Sequence, residues 1–151
     1  MRVFLPDVNV LLALVFEAHQ HHVVARTWVE DVHEAGACRV CRVTQSGLLR
    51  LSSNPALFAD EALSLSQAWN AYDTLMEDHR FAFSPEPLGL EHLWRRLSAT
   101  EASSPKGWTD RYLAAFAVAG DLALVTLDKA LGTASGGSEL DELGLRVELL
   151  N

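Results

Sequence analysis

Positive charge is scarce in this chain. Twelve lysines and arginines stand against twenty aspartates and glutamates, a formal net charge of −8. A broad basic surface of the kind that grips duplex DNA is therefore excluded. Contact with a polyanion would need another source of positive charge, and a bound metal ion is one. Cysteine is nearly absent as well: Cys38 and Cys41 form a single C-x-x-C. No second pair completes a zinc set, and Ala37–Val43 reads as a strand. The two thiols are therefore expected to be buried or half-buried strand residues on opposite faces, not a redox or zinc pair. Long apolar runs are missing too. Val10–Phe16 is short and the stretch from Tyr112 to Leu127 is cut by Gly120-Asp121, whereas a bilayer span takes about 20 apolar residues. Pro6, Asp7 and Asn9 interrupt any leader-peptide core. A soluble, cytoplasmic protein with no membrane contact is expected. Gly136-Gly137 lacks the G-x-x-x-x-G-K-[ST] frame of a phosphate loop, and no G-x-S-x-G nucleophile elbow occurs.

What is present describes one domain, residues 1–151. Hydrophobic residues make up 49% of the 151 and charged residues 21%, enough apolar surface for a real core. Val3–Pro6 reads as a short strand and Val8–Glu17 as a helix. His22–Glu34 carries Val24, Ala25, Trp28, Val29 and Val32 at helical spacing, ended by Gly36. Cys38–Val43 reads as a strand, Thr44 as the cap of a helix to about Leu51, and Asn54-Pro55 as a break. Ser64-x-x-Gln67 is a capping box, followed by an apolar face of Leu65, Ala68, Trp69, Tyr72, Leu75 and Met76. Phe81–Phe83 is a strand. Leu90, Leu93, Trp94 and Leu97 mark a helix, and Thr100–Lys106 reads as a loop. Thr109 reads as the cap of a helix whose apolar face is Tyr112, Ala115, Phe116 and Ala119. Leu122–Thr126 is a strand, Thr133–Ser138 a Gly/Ser-rich loop, and Arg146–Leu150 a last strand. Strands alternating with helices predict an α/β fold with a central parallel sheet of four to five strands.

Three acids sit where such a sheet binds ligands, outside the carboxyl ends of its strands. Asp7 directly follows the first strand, and Asp128 follows the strand Leu122–Thr126. Asp110 falls in the first turn of the helix predicted to start at Thr109, where the helix dipole favours a carboxylate. Each has a structural alternative: Asp7 as an N-cap, Asp110 as a dipole partner, Asp128 as a turn residue. Taken jointly, three carboxylates around one cleft repel each other unless a cation joins them. Mg²⁺ or Mn²⁺ suits oxygen ligands.

These residues resemble a known family. Leu5–Leu14 with its Asp7-Val8-Asn9, the His22-x-x-Ala25-x-x-Trp28 helix, Val43–Arg50, Thr109–Ala115 and Leu124–Asp128 follow the order of PIN-domain ribonucleases. Within that family they are similar to the VapC toxins of toxin–antitoxin pairs. The resemblance implies helices on both faces of the sheet and an acidic pocket holding Mg²⁺ or Mn²⁺. It implies cleavage of RNA phosphodiesters, a homodimer, and inhibition by a cognate antitoxin protein. It puts Asp7, Asp110 and Asp128 on the family's acidic positions, and Asn9 and Thr126 on accessory polar positions that orient them. The family's second acid, usually Glu, aligns with Gln45. The amide offers a carbonyl oxygen without charge, so the catalytic set has three formal negatives instead of four.

Arg50, Lys106 and Arg111 lie near these motifs and are candidates for RNA phosphate contacts, with an exposed or salt-bridged structural role as the alternative for each. His19, His21 and His22 are expected to form a solvated turn, since no cysteine or carboxylate at ligand spacing accompanies them. Trp69 and Tyr72 are expected in the core or on a dimer surface. Two other functions compete. A phosphatase or receiver-like phosphoacceptor would favour D-x-D, but Asp7 is followed by Asn9. A degenerate PIN fold that only binds RNA or a protein partner is kept open by Gln45.

Overall fold

The structure is a computed structural model that describes residues 1–133 and 139–151. Thr133 is therefore the last described residue of the predicted loop Thr133–Ser138; the rest of it, with Gly136-Gly137, lies outside the described residues. The chain runs β1 (Phe4–Pro6), α1 (Val8–Val15), α2 (His22–Glu30), β2 (Cys38–Val40), α3 (Arg42–Ser52) and α4 (Pro55–Phe58). A single 3₁₀ turn at Ala59–Glu61 leads to α5 (Leu65–Glu77), β3 (Phe81–Phe83), α6 (Leu90–Leu97) and α7 (Pro105–Gly120). Then come β4 (Ala123–Thr126), α8 (Lys129–Thr133), α9 (Glu139–Glu142) and β5 (Arg146–Leu149).

The five strands form one parallel sheet in the order β3-β2-β1-β4-β5. From β1 the chain winds outward through β2 to β3, then returns to the other side of β1 for β4 and β5. The winding direction thus reverses between β1 and β4. That is where an open α/β sheet leaves a crevice at its strand carboxyl ends. Alternate residues of the strands feed two cores. Phe4, Cys38 and Val40 pack with α1, α2, α3 and α5 on one face. Leu5, Leu122 and Leu124 pack with α6 and α7 on the other. Helices cover both faces, which is why the central strands β1 and β4 are buried along their whole length.

Several predicted boundaries shift for local reasons. α7 begins at Pro105, not at Thr109. Ser104 Oγ accepts the Gly107 N–H at 3.1 Å, and Pro105 occupies the first helical position, where its fixed φ is already helical. The predicted loop Thr100–Lys106 is shortened accordingly, and Asp110 lies in the second turn, outside the reach of the N-terminal dipole argument. β2 stops at Val40, and Thr44 is not the cap of α3. Cys41 is the cap, and Thr44 closes the box from inside, its Oγ1 accepting the Cys41 N–H at 3.0 Å. α1 and α2 end two and four residues earlier than read, at Val15 and Glu30. Cys38 and Cys41 are both buried free thiols, one in each core. Gly47 lets α3 lie close against α1, since a Cβ there would stand 2.7 Å from the Val8 side chain. Among the described residues, no helix is long and apolar enough to cross a membrane.

Candidate active site at the ends of β1 and β4

β1 is so short that Asp7, the first residue after it, still belongs to the sheet: its N–H donates to Val125 O at 2.9 Å. Its carboxylate then caps α1, Oδ1 accepting the Val10 N–H at 3.1 Å. The other oxygen, Oδ2, accepts from Thr126 Oγ1 at 2.5 Å. Asp7 is thus the N-cap of α1 and also stands at the β1/β4 crevice, so the capping role does not exclude a role at that crevice. Burial pushes its carboxyl above the ordinary 3.8. Hydrogen bonds from Thr126, Val10 N–H and Asn9 N–H pull the other way, and the charge of Asp110 adds to the rise.

Thr126 is fully buried at the end of β4, and its hydroxyl oxygen also accepts the Asp128 N–H at 2.9 Å. Asp128 in turn accepts the Ala130 N–H at 2.9 Å, which starts α8. Its other oxygen pairs with the Lys106 ammonium, and this ion pair holds the Asp128 carboxyl below its ordinary value. Lys106 is one turn before Asp110 on α7 and lies 4.0 Å from Asp110 Oδ2. Burial raises Asp110; Lys106 opposes that rise and Asp128 adds to it. Three carboxylates from β1, α7 and the turn after β4 therefore feel one another, with one ammonium among them. The Lys106 pKa is raised, mainly by its bond to Asp128 and also by Asp110 and Asp7.

All the donors are carboxylate oxygens, which suit a hard divalent cation, and the position already draws a cation. By the chemistry of the donors, Asp7, Asp110 and Asp128 fit Mg²⁺ or Mn²⁺. Among the described residues, no three His, Cys, Asp or Glu side chains form a ready-made coordination shell. The carboxylates are arranged about Lys106 instead.

The other residues singled out in the sequence stand elsewhere. Gln45 is buried on α3, its Oε1 accepting from Arg42 Nη1 at 2.5 Å, with Tyr72 as its second side-chain partner. Among the described residues it makes no hydrogen bond to the three aspartates. Asn9 contributes its backbone N–H to Asp7, while its exposed side chain lines a cleft with His19, Phe16 and Phe58. Arg111 donates to the carbonyls of Leu97 at 3.0 Å and Gly107 at 3.3 Å, fastening α7 to the end of α6. Arg50 lines a groove between α3 and α5 with Arg42, Gln45 and Trp69. In the histidine cluster, His22 Nδ1 bonds Ala13 O and His19 Nδ1 accepts the His21 N–H, so two ring nitrogens are committed to local structure. Trp69 is half exposed and Tyr72 is buried.

Lys106 as an ion-pair partner of the acids was missed in the sequence. Its signal was Ser104-Pro105, an N-cap followed by a first-turn proline. Read that way, the helix starts at Pro105, and Lys106 and Asp110 fall four apart on one face.

Comparison with known proteins agrees with this architecture. The family model described as PIN domain matches residues 4–136. Ribonuclease VapC41 of Mycobacterium tuberculosis is 40% identical over 138 residues, covering 89% of this chain and 94% of that protein. Ribonuclease VapC44 of the same species is 35% identical over 125 residues, covering 83% and 85%. Among solved structures, VapBC2 from Rickettsia felis bound to a DNA fragment from their promoter superposes with a TM-score of 0.68, at 11% identity, over 99% of both chains. FitAcB from Neisseria gonorrhoeae gives 0.59, at 18% identity, over 96% of both. On the family match and the identity to these relatives, the chain belongs to the PIN domain family.

Proposed function

We propose that this chain is a metal-dependent endoribonuclease, the toxin of a type II toxin–antitoxin pair, working as a single domain over residues 1–151. The observation that carries the reading is the joint placement of Asp7, Asp110 and Asp128 at the β1/β4 crevice, with Thr126 fixing Asp7. The ribonuclease names of relatives at 40% and 35% identity support it. RNA is the substrate, a cognate antitoxin and a second copy of the chain are the partners, and the cytoplasm is the location.

Asp7, Asp110 and Asp128 would hold Mg²⁺ or Mn²⁺. Such an ion supplies a lowered pKa for water and screens the phosphate oxygens, which lets an acidic protein approach a polyanion. Both Asp7 oxygens are engaged, by Val10 N–H and Thr126, so this carboxylate is a fixed anchor. Before a metal binds, Asp128 is held ionised by Lys106. Asp110 is only half-buried, and among the described residues no backbone N–H or hydroxyl is bonded to its oxygens, unlike those of Asp7. It is the residue we assign to accept the proton of the attacking water. Thr126 and the Asn9 N–H orient Asp7. Lys106 is the candidate phosphate contact nearest these acids; Arg50 is a candidate further along α3.

The test is cleavage of a structured RNA by purified protein freed of antitoxin. Cleavage should need Mg²⁺ or Mn²⁺, stop with EDTA, and be lost in Asp110→Ala and Asp7→Ala. Expression of the wild type, and not of these variants, should arrest growth of a bacterial host. Equal toxicity of Asp110→Ala and wild type would overturn the nuclease reading.

A further inference from the structure

We infer that Lys106 is a built-in competitor for the metal: its ammonium and a divalent ion contend for the same carboxylates, so that metal binding must release Lys106 from Asp128. The inference rests on the metal-site reading above and concerns what this chain adds to it.

Lys106 pairs with Asp128 and lies 4.0 Å from Asp110. Asp7 also bears on it through charge. These are the three groups assigned to the metal, so the ammonium stands in the same negative potential. A divalent ion held by the same oxygens would lie a few ångströms from a positive charge and repel it. The two cations therefore exclude each other from Asp128. The geometry lets the lysine leave. Its Cα is fixed in the first turn of α7 by the Ser104 cap, but its side chain is 63% exposed and can swing into solvent without unpacking anything.

The other cation on α7 is placed differently. Arg111 is tied to the carbonyls of Leu97 and Gly107; its charge favours ionised Asp110, and among the described residues it makes no ion pair with Asp128. Lys106 bridges α7 to the turn after β4 through its ion pair with Asp128, while facing Asp110 on its own helix. Two consequences follow. Without metal, Lys106 offsets the mutual repulsion of the acids and supports the fold. With metal, the ammonium is displaced onto the rim of the crevice, where a substrate phosphate would meet it.

The experiment is calorimetric titration of Mn²⁺ into wild type, Lys106→Gln, Lys106→Arg and Asp110→Asn, with melting curves in EDTA. Lys106→Gln should bind Mn²⁺ about threefold tighter or more, since an ion pair of this exposure no longer has to be broken. Lys106→Arg, which keeps the competing charge, should stay near wild type. In EDTA, Lys106→Gln should melt below wild type, and Mn²⁺ should raise its melting temperature by more than it raises the wild type's. Equal or weaker Mn²⁺ affinity in Lys106→Gln, with binding lost in Asp110→Asn, would overturn the competition while leaving the metal site standing. Unchanged binding in Asp110→Asn, or no binding by wild type, would overturn the metal-site reading and this inference with it.

Discussion

Thr126 and Asp7 lie 119 residues apart in sequence and share a hydrogen bond of 2.5 Å, from the buried threonine hydroxyl to Oδ2 of the carboxylate. The same hydroxyl oxygen accepts the Asp128 N–H. One side chain thus ties together the end of β1, the end of β4 and the start of the Asp128 turn. It does so between β1 and β4, where the winding of the chain through the sheet reverses.

Thr126→Val keeps the shape and removes that tie. It leaves the buried Asp7 oxygen and the Asp128 N–H without this partner, at about 1–3 kcal/mol for each buried group left unpaired. Urea unfolding should show a loss of that order, and Mn²⁺ affinity should fall because Asp7 is no longer oriented. Thr126→Ser should recover most of both. A neutral Thr126→Val would mean that the hydroxyl does not hold the site.

Asp7→Asn tests the cost of the buried charge. The folded pKa of Asp7 is raised above 3.8, so the folded state binds the proton more tightly than the unfolded chain does. The destabilisation is fully present above the folded pKa and disappears as the pH falls below 3.8. In EDTA at pH 8, Asp7→Asn should melt above wild type. The two curves should converge in acid. A strongly destabilised Asp7→Asn at pH 8 would mean that the hydrogen bond from Thr126 to the second carboxylate oxygen outweighs the cost of burying the charge.

Asp7 and Asp128 were legible in the sequence because each directly follows a short apolar run that could only be a strand. Their adjacency was not legible, since strand order is set by pairing between distant segments. The start of α7 was misread for a local reason. Thr109 looks like a cap, but Ser104-Pro105 five residues earlier fixes the helix first and carries Lys106 onto the face of Asp110. Thr44 was misread as a cap in the same way, because cysteine is rarely one and Cys41 holds that place. The alignment of Gln45 with a family acid came from the resemblance and carried no information on where its amide points.

Gln45→Glu decides what that position does. Its Oε1 accepts from Arg42, and Tyr72 is its other partner. A carboxylate there would pair with Arg42 but would also lose its hydration, so the variant should be somewhat less stable than wild type with or without metal. Mn²⁺ affinity should stay within about twofold of wild type, a difference of under 0.5 kcal/mol. A tenfold gain in Mn²⁺ affinity on calorimetric titration would put residue 45 in the metal site.

The C-x-x-C should be chemically silent in the folded protein. Cys38 and Cys41 are buried, and burial pushes the Cys38 thiol up to about 12. Thiolate is the reactive form, so brief alkylation at pH 8 should label neither residue until denaturant is added. Mass spectrometry reads the label. Rapid native labelling of Cys38, or a disulfide in the purified protein, would contradict the structure.

The central claim is that Asp7, Asp110 and Asp128 converge on one divalent cation. Crystals grown with Mn²⁺ test it most directly, because anomalous scattering locates manganese independently of any assumed site. The account predicts a peak about 2.0–2.3 Å from oxygens of these aspartates, with the Lys106 ammonium turned away from Asp128. A well-ordered structure with no anomalous peak at the β1/β4 crevice, or with manganese bound only elsewhere, would contradict it.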